Sequence, residues 1–168
     1  MKINFRFFLL LFLLVFIQLL WYNHLKLYGR FVPIIYIYPF LILSFSQNNL
    51  QLILAFITGI FLDIFLHTGG IFAAVTVFII YIRRLFTIPF LHQNRRNEEQ
   101  INPLLFSFNN KIIYYGLAIF FTILFLNLLE SFSFSYVFYK VPLFIINTLL
   151  SLIIIIFIDY LFINKING

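Results

Sequence analysis

Two apolar stretches, Leu50 to Leu66 and Gly70 to Ile82, are joined only by His67-Thr68-Gly69, a connection too short to do anything but send the chain straight back on itself. Runs of this length with almost no charge read as helices that face lipid or other helices on every side. The pair is therefore expected to form a helical hairpin inside a membrane. One carboxylate, Asp63, lies within it, and the Arg83-Arg84 pair closes it.

The rest of the chain follows the same pattern. With 64% hydrophobic and 10% charged residues and a mean hydropathy of +1.08, too few polar residues exist to cover a compact surface in water. A length of 168 residues, at about 20 residues per crossing, gives room for five or six helices and no extramembrane domain. The absence of cysteine excludes disulfides and thiolate metal sites. The expectation is an all-α polytopic membrane protein forming a single integral domain, with spans at 5–22, 31–46, 50–66, 70–82, 112–129 and 141–163. The second span is the weakest, because Pro33 stands near its start and Pro39 inside it, where a missing backbone donor should kink the helix. The first ends in Trp21-Tyr22, which suits an interfacial aromatic belt, and is expected to stay as an anchor. Ala55, Gly59 and Asp63 share one face of the third span, and Gly70 and Ala74 stand near the start of the fourth; small residues let helix backbones approach closely in lipid.

The connection 83–111 holds Arg83, Arg84, Arg95, Arg96 and Lys111 against Glu98 and Glu99, with apolar patches between, and is expected to lie along the membrane surface. With six spans and the N-terminus in the cytoplasm, eight Lys or Arg fall inside and three outside, so both termini are expected inside. Arg83 and Arg84 then read first as a topology signal. The same orientation puts Asp63 near the outer end of its helix, too far from Arg83 for an ion pair. Two readings of Asp63 stay open at this point, with an ion or proton relay as a third. It can cap the backbone N–H groups at the start of the next helix, or it can join Gln18, His67, Asn127, Glu130 and Asn147 in an outer polar cluster. Asp159, near the inner end of the last span, is expected to meet the interface.

No motif for catalysis is present: there is no nucleophile elbow, no HExxH, no glycine-rich phosphate loop, and the three histidines (His24, His67, His92) fall in separate segments. An enzyme is not expected, nor a cofactor, nor a metal. The basic connection is expected to meet anionic lipid or an acidic partner rather than nucleic acid.

The order Gly59-x-x-x-Asp63, Thr68-x-Gly70 with Ala73-Ala74, then Tyr81-x-Arg83 resembles the central hairpin of the bacterial rod shape-determining MreD family. Pro103-Leu104, Tyr114-Tyr115 and Leu128-Leu129-Glu130-x-Phe132 are similar to one branch of it, and size, span count and basic long loop agree. The resemblance implies a non-enzymatic part of the cell-wall elongation machinery in the bacterial cytoplasmic membrane. It would bind the bitopic scaffold MreC and work with MreB filaments, the RodA glycosyltransferase and a class B penicillin-binding protein; a homodimer is left open. The fold implied is similar to that of vitamin-importer substrate-binding subunits. Ala55, Gly59, Gly70 and Ala74 would be close-approach positions for a partner helix, Asp63 a structural polar residue, and the basic stretch a face for lipid headgroups or the filament.

The rival class is the substrate-binding subunit of an energy-coupling-factor importer, which has the same size and span count. Such subunits dock through small residues on the first helix, where this chain has neither alanine nor glycine before Gly29. A small-ligand pocket with aromatic walls is the feature that would favour it.

Overall fold

The computed structural model describes residues 5–24, 32–43, 48–83, 85–87, 103, 106–131 and 141–167. All regular structure among them is helical: α1 (Phe5–His24), α2 (Tyr38–Leu41), α3 (Asn48–Leu66), α4 (Ile71–Ile82), a 3-10 turn (Leu85–Thr87), α5 (Phe108–Ser131) and α6 (Val141–Asn167). Among the described residues three helices are long and apolar enough to cross a membrane, over Asn49–Leu66, Phe108–Ser131 and Val141–Leu161, with shorter apolar helices at Phe7–Tyr22 and Ile71–Ile82. Their length and composition are those of a helical membrane protein.

Residues that face out are mostly those lipid would solvate. On α3, Ile53, Phe56, Ile57, Ile60, Phe61, Ile64 and Phe65 are all exposed, while Ala55, Thr58, Gly59 and Leu62 face inward. The inward stripe packs on α4, and at Gly59 the two backbones touch. A Cβ there would overlap Ala73 Cα and stand 2.7 Å from Ala73 N and 2.8 Å from Phe72 O, so only glycine permits this approach. Parallel-stacked rings join α4 to α5, Phe78 on Phe125 at 4.2 Å, and the 3-10 turn adds Phe86 on Phe121 at 5.2 Å.

The second expected span is where the structure departs from the sequence reading. In place of a helix over 31–46, residues 32–35 are irregular, 36–37 form a turn, and only the four residues of α2 are helical. Pro39 sits in the first turn of α2, the one place in a helix where its missing N–H is harmless. This broken segment is the centre of the protein: every residue from Pro33 to Leu43 is buried. Its neighbours run past it in opposite senses. Tyr22 of α1 meets Phe72 near the start of α4, and Phe7 of α1 meets Phe40. The bundle therefore has an Asp63 end and an Arg83 end, and the broken segment descends from the first to the second.

Candidate functional site

A backbone that is not helical at membrane depth leaves N–H and C=O groups that lipid cannot satisfy, each costing several kcal/mol if left bare. The chain meets this demand with polar side chains from the helices around it. At the Asp63 end, Gln18 of α1 accepts from Ile35 N at 3.0 Å and donates to Pro33 O at 3.2 Å. Ser151 of α6 accepts from Ile34 N at 2.8 Å while giving its own proton to Asn147 O. Further along, Thr76 of α4 donates to Phe72 O, which leaves its oxygen to pair with the Tyr36 hydroxyl at 3.1 Å.

At the other end one carbonyl of α2 and one just past it meet Arg83. Its guanidinium donates to Phe40 O, to Leu43 O at 3.4 Å and to the Gln51 side chain. Tyr114 hydrogen-bonds Arg83 and also donates to Leu41 O at 3.2 Å. Arg83 is fully buried. It is therefore not a loop cation facing lipid headgroups, as the basic-connection reading placed it, but a positive charge at the negative end of a helix, supplied by another helix. Arg84, Arg95 and Arg96, with most of the connection 83–111, lie outside the described residues.

Asp63 takes the capping role. The α3 end closes with His67 in the left-handed region (φ 55°) and Thr68 N bonded to Asp63 O at 3.2 Å, a Schellman-type stop. Gly69 and Gly70 then turn with positive φ, and Gly70, as the residue preceding α4, has no side chain with which to cap it. The Asp63 carboxylate does so instead, accepting from Phe72 N at 2.9 Å, from Ala73 N at 2.8 Å and from the Thr68 hydroxyl.

The outer cluster separates into individual contacts. Gln18 serves the broken segment, His67 is exposed in the turn, and Asn127 donates back to Ile123 O of its own helix. Glu130, exposed, hydrogen-bonds the Tyr22 hydroxyl across α1 and α5. Asn147 lies one turn before Ser151, its Oδ1 buried without a hydrogen-bond partner among the described residues, as is Trp21 Nε1. Of the four small residues expected at a partner helix, Ala55 and Gly59 are consumed within the fold, whereas Gly70 and Ala74 are exposed.

A second polar centre was not foreseen. Asp159 of α6, expected at the interface, is buried and paired with Lys111 of α5 at 2.8 Å. Its other oxygen accepts from the hydroxyls of Tyr38 at 2.8 Å and Tyr115 at 3.1 Å. Beside this pair opens a pocket of about 420 Å³ between α5 and α6. A signal was present in the sequence: Ser151, Ile155 and Asp159 recur at i, i+4, i+8 and Lys111, Tyr115 and Ala118 on α5 at i, i+4, i+7, and all six face inward. Among the described residues no group of three or more His, Asp or Glu is placed to hold a metal ion. No family model, no curated protein and no solved structure matches the chain.

Proposed function

We propose that the chain is a non-enzymatic scaffold of the bacterial cell-wall elongation machinery, set in the cytoplasmic membrane with both termini inside. It would bind MreC and link MreB filaments to RodA and a class B penicillin-binding protein. One observation supports this reading. Four of the residues that carry the resemblance, Gly59, Asp63, Ala73 and Arg83, act to lock α3, α4 and the central segment into one body, while Gly70, Ala74 and Tyr81 of the same motif face outward. A stiff body with broad apolar outer faces suits a docking partner for other membrane helices. On this reading the Arg83 end faces the cytoplasm, and a close-packing partner helix meets the exposed Gly70 and Ala74 rather than Ala55 and Gly59.

The test is affinity purification of the tagged protein from its own membranes in mild detergent, with mass spectrometry of what accompanies it. Recovery of MreC with cell-wall synthases supports the scaffold, and its loss on Ala74→Leu but not on Phe56→Leu assigns the face. Recovery of paired ATPases with a coupling membrane subunit overturns the reading in favour of a vitamin importer.

A further inference from the structure

The pocket between α5 and α6 holds two charges that are already paired with each other. Toward the middle of α6 its wall is Ile153, Ile156 and Phe157; toward the Arg83 end it is Lys111, Asp159 and Tyr160. Lys111 and Asp159 meet at 2.8 Å, with 9% and 7% of their side chains exposed. The other oxygen of Asp159 accepts from the Tyr38 and Tyr115 hydroxyls, and the backbone N–H of Lys111 is given to Ser107 O at 3.0 Å. The formal charges thus cancel where they line the pocket. Tyr160 adds a hydroxyl, which can both donate and accept.

A charged guest would upset this balance. An anion at Lys111 stands beside the Asp159 carboxylate, which repels it, or it displaces that carboxylate and leaves it buried without its counter-charge. A cation at Asp159 does the same to Lys111. Depriving one member of a buried ion pair of its partner is strongly unfavourable. An uncharged oxygen carries no such cost: it can accept one of the ammonium's other donors, or bond Tyr160, with the pair left intact. Behind that polar end the wall is apolar over about 10 Å, from Ile153 to Tyr160 at 1.5 Å per residue. Ile153, Phe157 and Tyr160 are exposed by 63%, 61% and 63%, so the pocket opens sideways, and its polar end falls where the apolar window of α6 closes, at Leu161. In a membrane it faces hydrocarbon along most of its length and the boundary at its polar end. Its volume of about 420 Å³ is in the range of small-molecule sites.

We infer that this pocket is a binding site for one uncharged glycerolipid, a diacylglycerol, with an acyl chain along Ile153 and Phe157 and its hydroxyl and ester oxygens at Tyr160 and Lys111. Such a molecule brings acceptors and a donor to the polar end without a charge, and its second chain leaves through the side opening into the bilayer. The inference does not rest on the scaffold reading. It gives the buried Lys111–Asp159 pair a role beyond holding Tyr38 and Tyr115, that of turning charged headgroups away.

Native mass spectrometry of the purified chain, titrated with dioleoylglycerol and with phosphatidylglycerol of the same acyl chains, tests it. One dioleoylglycerol should be retained about tenfold more tightly than phosphatidylglycerol. Ile153→Trp, which fills the apolar part from an exposed position, should abolish that retention, while Ile64→Trp on the exposed face of α3 should leave it unchanged. Phe157→Trp serves the same purpose if Ile153→Trp does not yield a monodisperse protein. Asp159→Asn, which leaves the Lys111 charge unbalanced, should turn the order round in favour of phosphatidylglycerol; where that variant does not fold, the order in the parent decides. Phosphatidylglycerol held by the parent as tightly as dioleoylglycerol, or an order unchanged in a folded Asp159→Asn, overturns the charge argument. Undiminished retention in the filled variants overturns the site.

Discussion

Replacing Arg83 with methionine keeps the length and apolar stem of the side chain and removes its five donors. Leu43 O, buried just past α2, loses its Arg83 donor, and Phe40 O keeps only the backbone N–H of Leu43 at 3.3 Å. The Gln51 amide, being a side chain, can turn away. A buried carbonyl left without its donor costs about 1–3 kcal/mol and the weakened one adds less, while removing a buried charge returns part of its desolvation, so the net loss is about 1–3 kcal/mol. Arg83→Lys keeps the charge but replaces a planar fork that reaches two elements with a single ammonium, at a loss of about 1–2 kcal/mol. Unfolding free energies in mild detergent measure both, alongside reporter fusions that read orientation. A residue acting only as a topology signal would tolerate lysine without loss. A methionine variant within about 0.5 kcal/mol of the parent, the ordinary range for surface changes, would refute the reasoning.

Three further outcomes are expected. Gly59→Ala should separate α3 from α4 and cost about 1–3 kcal/mol or more, whereas Gly116→Ala meets only the flexible Leu152 Cδ1 at 3.1 Å and should cost far less; paired melting curves check this. Asp63→Asn should cost about 1–2 kcal/mol and speed hydrogen exchange at the Phe72 and Ala73 amides, because the neutral amide offers one acceptor oxygen where the carboxylate offers two. Lys111→Met alone should destabilise more than the double variant Lys111→Met with Asp159→Asn, since the single change strands a buried carboxylate; a double-mutant cycle gives the coupling, and an additive result argues against it.

The helices that the sequence made legible are those whose apolar runs have uninterrupted helical length. Asp63 as a cap was one of the readings the sequence left open, because a carboxylate one turn before a tight connection can reach the N–H groups that start the next helix; the outer polar cluster was another, and choosing between them takes the geometry of the turn. The second run was not legible, since a buried apolar stretch reads alike as helix or as irregular core, and only Pro33 and Pro39 hinted at the difference. What settles its shape lies far off in sequence: Gln18 bonds to it from 15 and 17 positions away, Arg83 from 40 and 43, Ser151 from 117 and Asp159 from 121. No local period contains such partners. Arg83 illustrates the same limit, because the doublet it forms with Arg84 reads as a boundary mark while its surroundings come from α2 and α3.

These separations also bear on how the protein is made. Chains enter a membrane from the N-terminus onward, and residues 32–43 leave the insertion machinery before either Ser151 or Asp159 has been synthesised. The segment has few internal hydrogen bonds to stabilise it in lipid alone, so its centre locks only when α6 arrives. Biogenesis is thus expected to proceed through a loosely held intermediate in which the middle of the bundle waits for its last helix, and a chain stopped before α6 should be a substrate for membrane proteases rather than a smaller stable protein.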